Sequence, residues 1–386
     1  MIAVANRLQH IGEYYFSQKL REIETLRHQG ADIINLGIGS PDLPPHPDVI
    51  AVLQQESSQP HQHAYQSYKG VAALRNAIAQ WYHTTYGVVA NPNTEVLPLI
   101  GSKEGIVHVC MTYLNPGDIA LVPNPGYPTY GAAVQLAGAT VDYYDILTVN
   151  DGQPNIEAIE KQLQAHGGKV KICFANTPHM PTGTTLQPKV AAALVALCKQ
   201  YHVLLVHDNP YSCILNHQPE SLLRYDTDKV AVIELNSLSK SHNMAGWRIG
   251  MVVAHETHIN NILRFKSNMD SGMFLPIQLA AAKALSLGAS WQQSLHEVYE
   301  RRQCIAQDIF DALQVQYKKQ QVGMFLWGQV PTSYESAYAM SDALLYDKHV
   351  FITPGGIFGS NGNNHIRISL CSNETILNQA LERIKA

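Results

Sequence analysis

From about residue 95 to residue 255 the chain alternates between short apolar runs and longer helical ones. The short runs are VLPLI, IALVP, KICFAN, VLLVHD, AVIELN and GMVVA, separated by segments such as KEGIVHVCMTYL and PKVAAALVALCKQY. The runs do not alternate polar with apolar residues, so each predicts a strand buried on both faces. Such strands need helices above and below, which makes the chain an α/β protein built on a mostly parallel sheet. At 386 residues the chain is longer than the ~250–300 at which one core stops growing, so two domains are expected.

Outside that region the signals are more varied. FSQKLREIETLRH (16–28) has helical spacing, and DIINLGIGSPDLPPHPD predicts a short strand followed by a Gly/Pro loop. VAALRNAIAQWYHTTYG predicts an amphipathic helix ending at Gly87, and residues 276–315 predict long helices. The end of the chain, 322–386, mixes strand-like runs (MFLWGQV, HVFITPGG, HIRISL) with helix, which suggests a smaller α+β lobe.

Charge and composition narrow the function classes. The net charge of −4 predicts no bulk attraction to nucleic acid or to an anionic membrane. The longest apolar run, VAAALVALC (190–198), is far short of the ~20 residues of a membrane span. No signal peptide is evident, and the six cysteines lack CxxC spacing, so a cytoplasmic protein with reduced thiols is expected. His61 and His63 have no partners at ligand spacing and predict a solvated loop, so no metal site is expected. No GxGxxG follows a strand, which argues against a dinucleotide-binding dehydrogenase.

In a parallel sheet, ligands collect at the carboxyl ends of the strands. Gly101-Ser102-Lys103, Asn176, Asp208 and Ser237 all fall there. The segment SLSKSHNMAGWRIG (237–250) puts Lys240 among apolar neighbours, where an ammonium ion is costly unless it loses its proton or is paired. HDNPY, upstream, supplies Asp208 and Tyr211. Those three residues and Arg248 match the needs of pyridoxal 5'-phosphate: a lysine for its aldehyde, a carboxylate for its ring nitrogen, a tyrosine for its phenolic oxygen and an arginine for its phosphate. Further phosphate donors would be the backbone of Ser102 and Lys103 at a helix start and the hydroxyls of Ser237 and Ser239. Tyr127, in NPGYPTY, is a candidate to stack on the cofactor ring, and Arg367, in NHIRISL, to bind a substrate α-carboxylate with two parallel hydrogen bonds.

With these motifs assembled, the chain resembles the fold-type-I pyridoxal-phosphate enzymes of the aspartate aminotransferase family over essentially its whole length. EVLPLIGSKEGI, LVPNPGYPTY, LNSLSKSHNMAGWRIG and KSNMDSGMF resemble the LL-diaminopimelate aminotransferases and their relatives in particular. The resemblance implies a large domain (45–282) with a mainly parallel seven-stranded sheet, and a small domain from residues 1–44 and 283–386. It implies a homodimer with shared active sites, in which Tyr65 of YQSYKG enters the partner's phosphate site. Gly39 matches the glycine of the loop that closes over substrate, Arg367 the α-carboxylate arginine, Lys240 the Schiff-base lysine, and Asn176 a second asparagine of the motif. The implied reaction moves an amino group from an L-amino acid to a 2-oxo acid, with LL-diaminopimelate and 2-oxoglutarate as the leading pair and Lys103 as a candidate contact for a second anionic group. Aspartate, methionine or aromatic donors, or a carbon–sulfur β-lyase reaction, are the alternatives. One position departs from the pattern: in NTPHMPTG, Met180 stands where the family has an asparagine that bonds the phenolic oxygen. A thioether donates nothing, so Tyr211 is expected to hold that oxygen alone.

Overall fold

The structure, a computed structural model, describes residues 2–9, 11–13, 15–147 and 152–386. Strand β1 (Ile34–Asn35) precedes the large sheet, which takes β2 (Val96–Leu99), β3 (Ile119–Asn124), β4 (Thr140–Asp145), β5 (Val170–Asn176), β6 (Leu204–Asp208), β7 (Val232–Ser237) and β8 (Gly250–Val253). Their order is β2-β8-β7-β6-β5-β3-β4. Every pairing is parallel except those of β8, which runs against both β2 and β7. Seven strands in a mainly parallel sheet is the architecture expected for fold type I.

The unalternated strands face helices on both sides. In β5, Ile172 and Phe174 belong to one buried cluster with Ile106 and Val109 of the helix Ser102–Tyr113, while Cys173 and Ala175 belong to another with Ile78 and Leu194 of the helices Ala72–Tyr86 and Pro188–Gln200. Each fully buried aliphatic or aromatic side chain of this kind contributes about 1.5–3 kcal/mol. The helix predicted to stop at Gly87 does so, with that glycine in the left-handed region at φ 68°.

The remaining strands, β9 (Gln316–Tyr317), β10 (Phe325–Gln329), β11 (Val350–Phe351), β12 (Thr353–Pro354) and β13 (His365–Ser369), lie in a separate lobe. Four of them form an antiparallel sheet, β12-β13-β10-β9, and β1 pairs in parallel with β11, so the N-terminal segment joins the C-terminal one. A hydrophobic cluster of its own, including Phe16, Ile23, Phe310 and Leu377, holds this lobe together.

One expectation is corrected. The Gly/Pro loop does not run through Asp48: a helix, Pro47–Ser57, starts inside it, because Pro47 is preset for a first helical turn and His46 Nδ1 accepts the Asp48 N–H at 3.1 Å. The long helices expected over 276–315 are Leu275–Leu285 and Ala289–Ala312, with Gly288 between them. Among the described residues no helix is long and apolar enough to cross a membrane.

The topology gathers the candidate residues. Asn176, Asp208 and Ser237 are the last residues of three adjacent parallel strands, and Asn176 sits opposite Asp208 in register. Because β8 runs the other way, its entry, with Arg248, reaches the same edge. Beyond β3 the chain turns one way to β4 and then crosses to the other side for β5, β6 and β7, which opens a crevice at the strand ends between β3 and β5.

Candidate active site

The crevice is a cleft of about 390 Å³ between the large sheet and the small lobe. Gly39, Ser102, Lys103, Tyr127, Asn176, Asp208, Tyr211, Ser237, Ser239, Lys240, Arg248 and Arg367 all line it. Tyr65 does not, and its side chain is 92% exposed.

Asp208 lies at the floor, 4% exposed. Its Oδ2 accepts a hydrogen bond from the Tyr130 hydroxyl at 2.7 Å, while its Oδ1 is buried with no hydrogen-bond partner among the described residues. Burial lifts the carboxyl pKa to about 6, against the opposing Tyr130 hydrogen bond and the neighbouring His207 charge. A buried carboxylate with one unpartnered oxygen facing a cleft is a receptor for a cationic N–H, which is what a protonated pyridine ring presents. The residues therefore fit pyridoxal 5'-phosphate. Asn176 lines the cleft but commits its amide to the backbone: Nδ2 donates to Asp208 O and Oδ1 accepts from Met180 N, each at 2.7 Å.

Lys240 sits in the short helix Leu238–Ser241, capped by Ser237, whose Oγ accepts the Ser239 N–H at 3.1 Å. Its ammonium donates to the carbonyl of Gly39, so the loop after β1 touches the lysine directly. Burial drives the Lys240 pKa down, and the charges of Arg367 and Arg248 push the same way. A lysine made less basic by desolvation and like charge is a better nucleophile and proton acceptor near neutral pH. Tyr211 packs edge-on to Phe325 with ring centroids 5.7 Å apart, and burial pushes its phenol pKa well up. Gly39 itself lies on the Phe325 ring, and a Cβ there would come within 2.4 Å of it.

The phosphate end is a basic cradle. Gly101, at φ +82°, precedes the helix Ser102–Tyr113, whose first N–H groups point out of the helix start. Arg248 lies over Gly101 so closely that a Cβ would sit 2.1 Å from its Nη2. The guanidinium donates from Nη1 to Ala245 O at 2.9 Å and approaches Ser239 Oγ at 3.4 Å. Ser237 and Ser239 hydroxyls lie 2.8 Å apart beside it.

Arg367, from β13, reaches the opposite wall and is 4% exposed. Its guanidinium carbon lies 3.9 Å from the Phe325 ring centroid and 4.6 Å from that of Phe358, and Nη2 donates to Gly37 O at 2.7 Å. Met180 comes into this group: its Sδ is 3.4 Å from Arg367 Nη1, and its side chain is 5% exposed. The residue that breaks the family pattern thus touches the candidate carboxylate receptor.

Sequence reasoning missed several lining residues. Tyr130 is one, three positions beyond Tyr127, and its ring stacks on Phe174 at 4.8 Å between centroids. Its motif, NPGYPTY, had already been singled out for Tyr127, so the signal was present. Phe16, Ile38 and Phe358 come from segments far apart in the chain and carried no chemical signal.

A family model described as aminotransferase class I and II matches residues 31–384. The LL-diaminopimelate aminotransferase of Dehalococcoides mccartyi (strain ATCC BAA-2100) is 38% identical over 369 residues, 95% of this chain and 94% of that one. The enzyme of the same name from Maridesulfovibrio salexigens is 37% identical over 385 residues, covering 99% and 98%. Among solved structures, substrate-bound BacF from Bacillus subtilis superposes with a TM-score of 0.94 at 34% identity, covering 100% of this chain and 98% of that one. A single mutant of Thermus thermophilus aspartate aminotransferase superposes with a TM-score of 0.92 at 23% identity, covering 100% and 99%, a likeness of fold.

Proposed function

Since the chain belongs to the class I and II aminotransferases, which depend on pyridoxal 5'-phosphate, we propose that it transfers the amino group of LL-diaminopimelate to 2-oxoglutarate. When bound, the cofactor supplies an electrophilic carbonyl carbon and a ring that accepts the electrons released at the substrate Cα. The observation that carries the site assignment is Asp208, buried at the end of β6 with a free carboxylate oxygen. Asp208 would hold the ring nitrogen protonated, and the Ser102 helix start, Ser237, Ser239 and Arg248 would fix the phosphate. Lys240, with its depressed pKa, would take the Cα proton as a base and return it as an acid, work that contributes ~10²–10⁴-fold. Arg367 would orient the donor by its α-carboxylate, and the aromatic walls around it would exclude water.

The donor is supported by the names of the two relatives and by Lys103, which among the described residues is the one cation of the cleft lining besides Lys240, Arg248 and Arg367. A second reading, an apolar or aromatic L-amino acid, is favoured by Phe16, Ile38 and Phe358 in the same wall. Steady-state transfer to 2-oxoglutarate from LL-diaminopimelate, aspartate, methionine and phenylalanine tests both. LL-diaminopimelate should give the highest kcat/KM; a preference for phenylalanine selects the second reading. Pyruvate and ammonia formed from cystathionine with no oxo acid present would refute both.

We also infer a homodimer in the cytoplasm with shared sites. Its support is a set of exposed apolar side chains, Tyr65, Tyr68, Met269 and Phe274, on two segments that meet where the His63 ring lies 5.6 Å from that of Phe274. The six cysteines are free, five of them buried.

A further inference from the structure

Behind Asp208, on the opposite face of the sheet, lies a charged pair that the reaction does not use. His207 of β6 and Glu234 of β7 are cross-strand neighbours, and both side chains are 0% exposed. His207 Nδ1 is 2.8 Å from Glu234 Oε2, and Nε2 is 3.2 Å from the carbonyl of Thr177. Both ring nitrogens therefore face oxygen acceptors. The Glu234 carboxylate also accepts from Asn209 Nδ2 at 3.1 Å and from the Ser221 hydroxyl. Three donors converging on one carboxylate favour its ionised form, so the shared proton belongs to the imidazole. Leu222 N–H also points at Nδ1, at 3.4 Å, a contact at the edge of hydrogen-bonding range that is weaker than the one with Glu234 at 2.8 Å.

We propose that His207 is a positioning residue: a protonated imidazole, locked between Glu234 and Thr177, whose charge keeps Asp208 ionised and whose bond to Thr177 fixes the ends of β5 and β6 together. The same two strand ends are joined on the other side by Asn176 Nδ2 donating to Asp208 O. Among the described residues, Tyr82 and Tyr86, from the helix Ala72–Tyr86, are the other titratable groups facing the pair, and burial pushes both phenols well up, so they stay neutral. The inference rests on the assignment of Asp208 as the carboxylate that receives the cofactor ring.

Neutron crystallography of the unaltered protein, with cofactor and without, locates the proton directly. Hydrogens on both His207 nitrogens and none on Glu234 are expected; a neutral His207 beside a protonated Glu234 overturns the proposal. A second measurement uses His207→Gln and the pH dependence of the dissociation constant for pyridoxal 5'-phosphate. Binding should weaken on the acid side where Asp208 takes up its proton, and in His207→Gln that limb should move up by about one pH unit. An unmoved limb with binding intact at pH 8 overturns the role assigned to the charge. Failure of the unaltered chain to bind the cofactor at any pH would refute the site assignment and leave the neutron result on the pair standing.

Discussion

Asp208→Asn separates the cost of burying a carboxylate from the service it gives. The substitution keeps the volume, and the Tyr130 hydroxyl can donate to the new amide oxygen as it does to Oδ2. In the folded protein the Asp208 pKa is raised from 3.8 to about 6. At 1.36 kcal/mol per unit, that burial costs about 3 kcal/mol when the carboxylate is charged and no cofactor is bound. Below pH about 4 the group is protonated in folded and unfolded chains alike, and the penalty is absent. As pH rises towards 6 the unfolded chain loses this proton while the folded chain keeps it, so stability falls. The penalty is complete above that range and about half developed at pH 5. Cofactor-free Asp208→Asn should therefore unfold at a higher urea concentration than the parent at pH 8, by up to about 3 kcal/mol, with a smaller gain at pH 5. The loaded variant should lose about 10²–10³-fold in kcat, because the group that held the ring charge is gone. Equal midpoints at pH 8, or a gain of the same size at both pH values, would refute the argument that Asp208 is a desolvated charge awaiting a cation.

Arg367→Lys should raise the KM of the amino donor by about 100-fold, since a lysine loses both the two-pronged bond to a carboxylate and the face contact with Phe325; an unchanged KM removes Arg367 from substrate binding. Gly101→Ala should weaken cofactor binding at least about tenfold by forcing Arg248 away and straining a backbone at φ +82°, as read by equilibrium dialysis. Mixing Lys240→Ala with Tyr65→Ala chains should restore activity above either parent, because a hybrid dimer holds one intact site; no recovery would argue against sharing. Met180→Asn restores a hydrogen-bond donor and should lower the pH at which the lysine-linked cofactor changes its absorption, a titration in which no downward shift counts against the idea.

What could be read from the chain depended on whether a residue's neighbours in space are also its neighbours in sequence. Ser237, Ser239, Lys240 and Arg248 all lie between the end of β7 and the start of β8, so a single motif displays most of the phosphate cradle. Asp208 and Asn176 end strands whose apolar runs are unmistakable, and parallel pairing then puts them side by side. Tyr130 and His207 escaped because their roles arise from packing between elements: one bonds Asp208 across 78 residues, and the other pairs with a carboxylate 27 residues on. Met180 shows the sharper limit. Compared with the family motif it is only a missing donor, which predicts an effect on the cofactor's phenolic oxygen. In the folded chain its sulfur lies against Arg367, whose guanidinium packs over the rings of Phe16, Phe325 and Phe358. A thioether is a weaker acceptor than a carbonyl or carboxylate, so its contact with Nη1 gives way more readily to a substrate carboxylate. The departure therefore bears on the amino donor as well as on the cofactor, and Met180→Asn should change the KM of the donor alongside the absorption titration, two readouts that separate the two effects.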